Sequence, residues 1–272
     1  MRNPNNLSGM ERKDIVLVGA GRVATSLSLA LVKAGHRVCQ VYSRTEKSAK
    51  ALAERLTADY TTSIDALVKD ADIYIIALTD TALSSLAGQI TKGREERLFV
   101  HTAGSMSIDT LDCPRRGVFY PMQTFSLERL VDFQHVPVFV EASNDDDLQI
   151  IRALASSITD NVFTLSSHDR QYLHLAAVFC CNFSNHCYAI AERMLNEQGV
   201  PFSVMWPLID ETAAKSHKMS PLIGQTGPAA RDDQEVMRRQ ERLLADNPAW
   251  QQIYQLMSQD IQSMAESSEK SE

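Results

Sequence analysis

The stretch Ile15-Val16-Leu17-Val18-Gly19-Ala20-Gly21-Arg22-Val23-Ala24 decides the fold. It joins an apolar β-type run, a glycine turn and the opening of an amphipathic helix, the order of a dinucleotide-binding βαβ unit. Gly19 permits the tight turn out of the strand, and Gly21 removes a side chain where a pyrophosphate must approach backbone. Ala24 stands in the third glycine's place and lets helix pack closely on strand. The helix, running to Lys33-Ala34-Gly35, points the unpaired N–H groups of its first turn and its positive dipole end at the phosphates. The plain alternative is a glycine turn that binds nothing. A second strand-like run, Arg37-Val38-Cys39-Gln40-Val41-Tyr42, follows Gly35 and ends where the ribose of the adenosine half would lie, which favours the nucleotide reading.

At 272 residues the chain is long enough for one large or two ordinary domains, each able to bury a core. A formal charge of -7 argues against a nucleic-acid groove, which needs a basic face to neutralise phosphates, and leaves room for local basic pockets. The five cysteines, Cys39, Cys113, Cys180, Cys181 and Cys187, are odd in number and contain no C-x-x-C pair, so neither a disulfide framework nor a zinc site is expected. The polar start, residues 1–14, has no signal-peptide core, and no apolar run approaches the ~20 residues needed to span a bilayer. A cytoplasmic protein without membrane or nucleic-acid partners is expected, with a frayed Ser/Glu/Lys-rich tail over residues 265–272.

Strand-like and helical patterns then alternate. A helix is expected over residues 45–56, a short strand over 58–63, a short helix over 64–69 and a strand buried on both faces over 72–78. Another helix starts at Thr79-Asp80. Further strand patterns cover residues 97–102, 118–120, 136–140 and 162–165, with a helix over 145–158 and a loop-like segment from Tyr120 to Phe125. The alternation implies an α/β, doubly wound Rossmann domain over residues 11–165. From residue 166 onward strand patterns vanish. One helix of about thirty residues is expected from Asp169 to Gln198, followed by helices over 204–218, 232–245 and 249–264, so residues 166–272 form an all-α domain.

The end of the second strand selects the cofactor. Asp or Glu there would hold the ribose hydroxyls of NAD, whereas this chain has Tyr42-Ser43-Arg44-Thr45, whose hydroxyls and guanidinium suit the 2′-phosphate of NADP. Ser43 also fits a Ser-x-x-Glu capping box with Glu46, and Asp80 a helix cap. The expected cofactor contacts are Gly19, Gly21, Arg22, Val23, Ser43, Arg44, Thr45, Leu78, Thr79, His101 and Ala103.

On the long helix, at 100° per residue, His174, Asn182, Asn185, Tyr188 and Glu192 share a sector of about 120°, while Leu175, Ala176, Phe179 and Phe183 face elsewhere. If that polar stripe meets the interdomain cleft, His174 donates a proton to a developing alkoxide or amine and Asn182 or Asn185 orients the substrate. The alternative is a structural histidine with interface asparagines. His101, at a strand end, is a second acid/base candidate or a backbone partner. Thr226-Gly227-Pro228 reads as a helix start, and Arg231 beside Asp232 as an ion pair or a binder of substrate carboxylate.

GAGRVA (19–24), VYSRT (41–45), HTAGS (101–105), FYPMQTFS (119–126), HLAAVFCCNFSNH (174–186) and QTGPAARDD (225–233) together resemble a bacterial family that pairs a Rossmann-like domain with a helical domain of unknown function. Its members are labelled NADP oxidoreductases, and the resemblance spans roughly residues 12–262. More distantly the chain is similar to pyrroline-5-carboxylate reductases and β-hydroxyacid dehydrogenases, whose helical domains resemble the C-terminal domain of 6-phosphogluconate dehydrogenase. The resemblance implies hydride transfer between NADP(H) and a small carbonyl, hydroxy-acid or imine compound, and a homodimer joined through helices. The β-hydroxyacid enzymes use a lysine and a nearby asparagine on this helix, but residues 174–192 contain no lysine. His174 and Asn182 either replace that pair or mark a non-catalytic NADP(H)-binding sensor or scaffold.

Overall fold

The computed structural model describes residues 11–126 and 129–269; the expectations for the first ten residues and for 270–272 lie outside them. By contacts the chain forms two compact units, residues 1–182 and 183–272.

The first unit is one eight-stranded sheet. Its strands are β1 (Asp14–Val18), β2 (Arg37–Tyr42), β3 (Asp59–Thr61), β4 (Ile73–Ile76), β5 (Leu98–His101), β6 (Arg116–Pro121), β7 (Val138–Ala142) and β8 (Val162–Thr164), in spatial order β3-β2-β1-β4-β5-β6-β7-β8. All neighbours are parallel except β6 and β7, which run antiparallel with Tyr120 opposite Phe139 and Val118 opposite Glu141. The order of the first six strands is that of a Rossmann sheet.

Side chains alternate between the faces, as the period of two requires. Ile15 and Leu17 join the core beneath α1 (Arg22–Lys33), α2 (Glu46–Leu56) and α4 (Asp145–Ser156). Val16, Val18, Tyr74, Ile76 and Phe99 join a second core beneath α3 (Asp80–Thr91) on the other face. Central strands are therefore apolar on both sides, and β4 is buried throughout.

Residues 64–69 form turns rather than the expected helix. Their carbonyls are claimed from outside: the buried Arg94 guanidinium donates to the carbonyls of Ile64, Leu67 and Val68, and the Gln40 amide donates to that of Ala66. The Val68 amide, which would close an α-helical turn on the Ile64 carbonyl, donates instead to Gln40 Oε1 at 2.9 Å.

The expected thirty-residue helix is three pieces: α5 (Ser167–Ala177), a π-helical segment over Val178–Phe183, and α6 (Ser184–Glu197). An i→i+5 turn holds one more residue than an i→i+4 turn, so the 100° wheel loses its phase there. The single stripe from His174 through Asn185 to Glu192 is therefore corrected. The unit boundary also falls beyond residue 165, because α5 is tied to the sheet through Arg170 and Glu141 (2.6 Å).

The second unit contains α6, then α7 (Trp206–Ser216), α8 (Gln234–Leu243) and α9 (Pro248–Glu269). Helix α9 reaches Glu269, so residues 265–269 are helical rather than frayed. Asp233 caps α8, accepting from the Val236 amide at 3.2 Å. Pro228 precedes a short 3-10 turn over Ala229–Arg231. Among the described residues Arg231 forms no ion pair with Asp232, whose carboxylate accepts from the Gln234 and Gln262 amides.

Candidate active site

The glycine turn leaves β1 as the fingerprint requires. Gly19 has φ +124°, and its N–H donates to the Tyr42 carbonyl at 2.8 Å. A Cβ there would lie 2.9 Å from the Ala77 carbonyl carbon and nearer still to its oxygen, so only glycine fits. Leu78, 3.4 Å from the same point, flanks the turn. Gly21 is exposed, a Cβ on it would meet nothing within 4 Å, and as N-cap of α1 it offers no side-chain cap. The first turn of α1 carries no acidic residue either. Exposed Arg22 and half-buried Val23 thus open a helix whose terminal N–H groups face open space, a ready anion cradle. Ala24 is fully buried against the sheet.

Ser43 does not cap α2. The cap position is Thr45, whose hydroxyl bonds to Ser48 Oγ at 2.9 Å, and Glu46 instead accepts from the Tyr60 hydroxyl at 3.2 Å. Arg44 is exposed and has no ion-pair partner among the described residues. With Glu46 engaged by Tyr60, the strand end presents the hydroxyls of Ser43 and Thr45 and the Arg44 guanidinium, groups that fit a phosphorylated ribose. At the end of β4 the expected Asp80 cap is corrected: Thr79 caps α3, accepting from the Ala82 amide at 3.4 Å. Asp80 is left to accept from the Ser105 hydroxyl.

His101 is fully buried at the end of β5. Its Nδ1 accepts from the Ala103 amide at 3.2 Å and its Nε2 bonds to the Ser107 carbonyl at 3.2 Å. Burial first, and the Arg170 charge second, push its pKa down to about 4. The ring is neutral with both nitrogens hydrogen-bonded to backbone, so His101 shapes the loop after β5.

That loop carries Ala103 and Gly104 beneath α5. A Cβ on Gly104 would stand 2.5 Å from His174 Nδ1 and 2.9 Å from Tyr120 Cζ, so the loop backbone runs directly against both rings. His174 Nδ1 and the Tyr120 hydroxyl are hydrogen-bonded at 3.0 Å, with the rings edge to face. Tyr120 is 8% exposed, and burial raises its pKa against the opposing pull of Arg170. His174 is half-buried, and its Nε2 has no hydrogen-bond partner among the described residues. The pair can therefore hold a proton between Nδ1 and Oη while Nε2 remains available.

Asn182, exposed, lies in the π-helical segment, and Asn185, also exposed, lies beyond it in the second unit. No hydrogen bond among the described residues joins either to His174. Tyr120 and Arg170 were missed at the sequence level. The signal for Tyr120 was a tyrosine at the end of a strand, next to Pro121; for Arg170 it was a basic residue one helical turn before His174. Among the described residues no group of three or more His, Cys, Asp or Glu is placed to hold a metal, and no helix is long and apolar enough to cross a membrane.

Residues 14–104 match the family described as NADP oxidoreductase coenzyme F420-dependent, and residues 136–261 match the domain of unknown function DUF2520. No curated protein matches the chain. It is 48% identical to the "putative NADP oxidoreductase BF3122" of Bacteroides fragilis, covering 93% of this chain and 98% of that one with a TM-score of 0.88. Protein TM1727 of Thermotoga maritima shares the fold at 22% identity over 93% and 99% of the two chains, TM-score 0.78. An imine reductase from Myxococcus stipitatus in complex with NADP+ does so at 16% identity over 93% and 94%, TM-score 0.67. With a glycine turn and a His–Tyr pair along one edge of the sheet and nearly half its residues identical to the Bacteroides protein, the chain belongs to the family of NADP oxidoreductases that join a Rossmann domain to a DUF2520 domain.

Proposed function

We propose that the protein binds NADP(H) at the carboxyl edge of its sheet and catalyses hydride transfer to or from a small carbonyl, hydroxy-acid or imine compound, with His174 and Tyr120 managing the proton. The observation that carries this reading is the close approach of the His174–Tyr120 pair to Gly104, at the same sheet edge as the glycine turn. Strand order β1-β4-β5-β6 sets the two about three strand spacings apart, about 14 Å.

The residues present fit the cofactor. Gly21, Arg22 and Val23 offer backbone N–H groups to the pyrophosphate, Gly19 makes the turn, and Leu78, Thr79 and Ala103 line the neighbouring strand ends. Arg44 takes the 2′-phosphate between Ser43 and Thr45. When bound, the reduced nicotinamide supplies hydride. The oxygen or nitrogen that gains negative character then needs a proton, and an imidazole gives and takes protons at neutral pH more readily than a phenol. In the imidazolium form Nδ1–H donates to the Tyr120 oxygen, whose own proton burial retains, and Nε2–H passes its proton to the substrate, leaving a neutral imidazole. Asn182 and Asn185 remain candidates for orienting the substrate.

On this reading the protein works in the cytosol, where its five thiols stay reduced. It is a homodimer. Support comes from the second unit, whose α6 and α7 bury no residue while Trp206, Leu208 and Ile223 stand more than half exposed.

The test is calorimetry with NADPH and NADH, followed by NADPH oxidation over keto acids, 2-oxo amides and cyclic imines. NADPH is expected to bind more tightly than NADH. His174→Ala is expected to lower turnover roughly 10²- to 10⁴-fold with NADPH affinity unchanged. No NADPH binding, or an unaltered rate in His174→Ala, would overturn the reading.

A further inference from the structure

Arg170 is the largest fully buried side chain of the protein, and a guanidinium does not leave water without a task. It lies one helical turn before His174, on the same face of α5. One terminal nitrogen donates to Glu141 Oε2 on β7 at 2.6 Å. The other donates to the Met106 carbonyl in the loop after β5 and to Ser167 Oγ at 3.1 Å. Ser167 closes the same knot, since its N–H and hydroxyl both donate to Glu141, at 2.9 and 2.7 Å, and its oxygen accepts from the Ile108 amide at 2.8 Å. Arg170 Nε is buried without a hydrogen-bond partner, so the arrangement is kept despite one unsatisfied donor.

We propose that Arg170 is a positioning residue: by tying the first turn of α5 to both β7 and the loop after β5, it holds His174 Nδ1 against the Tyr120 hydroxyl over Gly104. This rests on the reading of His174 and Tyr120 given above. The clamp joins the three elements that carry the site, with Tyr120 on β6 beside β7, Gly104 in the loop and His174 on α5. A second link, Gln171 Nε2 to the Ser105 carbonyl at 3.0 Å, pins the same helix to the same loop. From α5, His174 bonds the Tyr120 hydroxyl and the Arg170 charge reaches it, while strand pairing through Val118 puts Glu141 of β7 and the neutral His101 of β5 on the sheet face that Tyr120 shares. Arg170 is the cation that opposes the effect of burial on the phenol.

The test uses the full chain with 15N-labelled histidine and 13Cζ-labelled tyrosine, and NMR titrations of wild type, Arg170→Lys, Arg170→Met and Ser167→Ala. Arg170→Met is expected to erase the Nδ1 hydrogen-bond signature of His174 and to raise the titration midpoint of Tyr120. Arg170→Lys keeps the charge but loses the fork, so it is expected to weaken the Nδ1 signature while leaving the Tyr120 midpoint near wild type. Ser167→Ala removes one partner of the guanidinium while leaving its charge in place, and is expected to move the His174 signal in the same direction by a smaller amount, which serves if Arg170→Met does not fold. Turnover in Arg170→Lys is expected to fall on the order of 10²-fold with NADPH affinity unchanged. An unmoved His174 signal in Arg170→Lys and Ser167→Ala would overturn the proposal. The functional reading fails separately, through unaltered turnover in His174→Ala.

Discussion

Gly104 and His174 are so close that a Cβ on the glycine would stand 2.5 Å from the imidazole Nδ1. The same Cβ would meet Tyr120 Cζ at 2.9 Å, so the space a side chain would fill is taken by the paired rings. Gly104→Ala is expected to push the pair apart, costing about 1–3 kcal/mol from overpacking and lowering turnover at least about tenfold. Thermal melts and NADPH oxidation together check this, and wild-type values in both would refute it.

The two glycines of the nucleotide turn separate folding from binding. Gly19→Ala must place a Cβ 2.9 Å from the Ala77 carbonyl carbon at φ +124°, and is expected to destabilise the domain by about 2 kcal/mol or more. Gly21→Ala meets nothing within 4 Å and should melt near wild type. Its methyl occupies the phosphate's approach, so NADPH affinity should drop roughly tenfold or more. Urea titration and calorimetry on both variants decide between these two roles.

Arg44→Ala should leave the melting temperature unchanged, because the side chain is exposed and makes no ion pair among the described residues. Loss of charge-assisted bonds to a 2′-phosphate is expected to weaken NADPH binding roughly 10- to 100-fold while NADH is unaffected. An equal loss for both cofactors would remove Arg44 from the 2′-phosphate site.

His101 makes stability depend on pH. Its folded pKa is lowered to about 4 from 6.5, so between those values the unfolded chain binds a proton that the folded chain does not. Its contribution is fully present above pH ~6.5 and is lost as pH falls towards ~4, by an amount on the order of 3 kcal/mol. Urea midpoints measured at pH 4.5 and 7.5 should differ less in His101→Gln than in wild type. An identical difference in both proteins would show that other groups carry the acid sensitivity.

Much of the fold was legible from local pattern. The run Ile15 to Ala24 announced strand, glycine turn and helix, and period-two alternation marked strands because a sheet sorts neighbouring side chains to opposite faces. The basic end of β2 was equally readable, since Ser43, Arg44 and Thr45 are adjacent in the chain.

What local pattern missed came from partners distant in sequence. Residues 64–69 resemble a helix until Arg94 and Gln40 take their backbone partners. No residue type announces the π-helical turn over Val178–Phe183, so a wheel at a constant angle joined His174 to Asn185 and Glu192 across it. Arg170 looked like any solvated helix charge, yet it is fully buried because Glu141 and the Met106 carbonyl are brought to it from β7 and the loop after β5.

Sequence by itself determined the glycine turn, the order of the eight strands, and His174 as the residue to watch. Only the tertiary structure decided that Tyr120 is its partner, that Gly104 must be bare beneath them and that His101 is committed to backbone. The physical reason is reach: backbone propensity and alternation act within a few residues, whereas the site is assembled by strand pairing and a buried ion pair that join residues far apart along the chain.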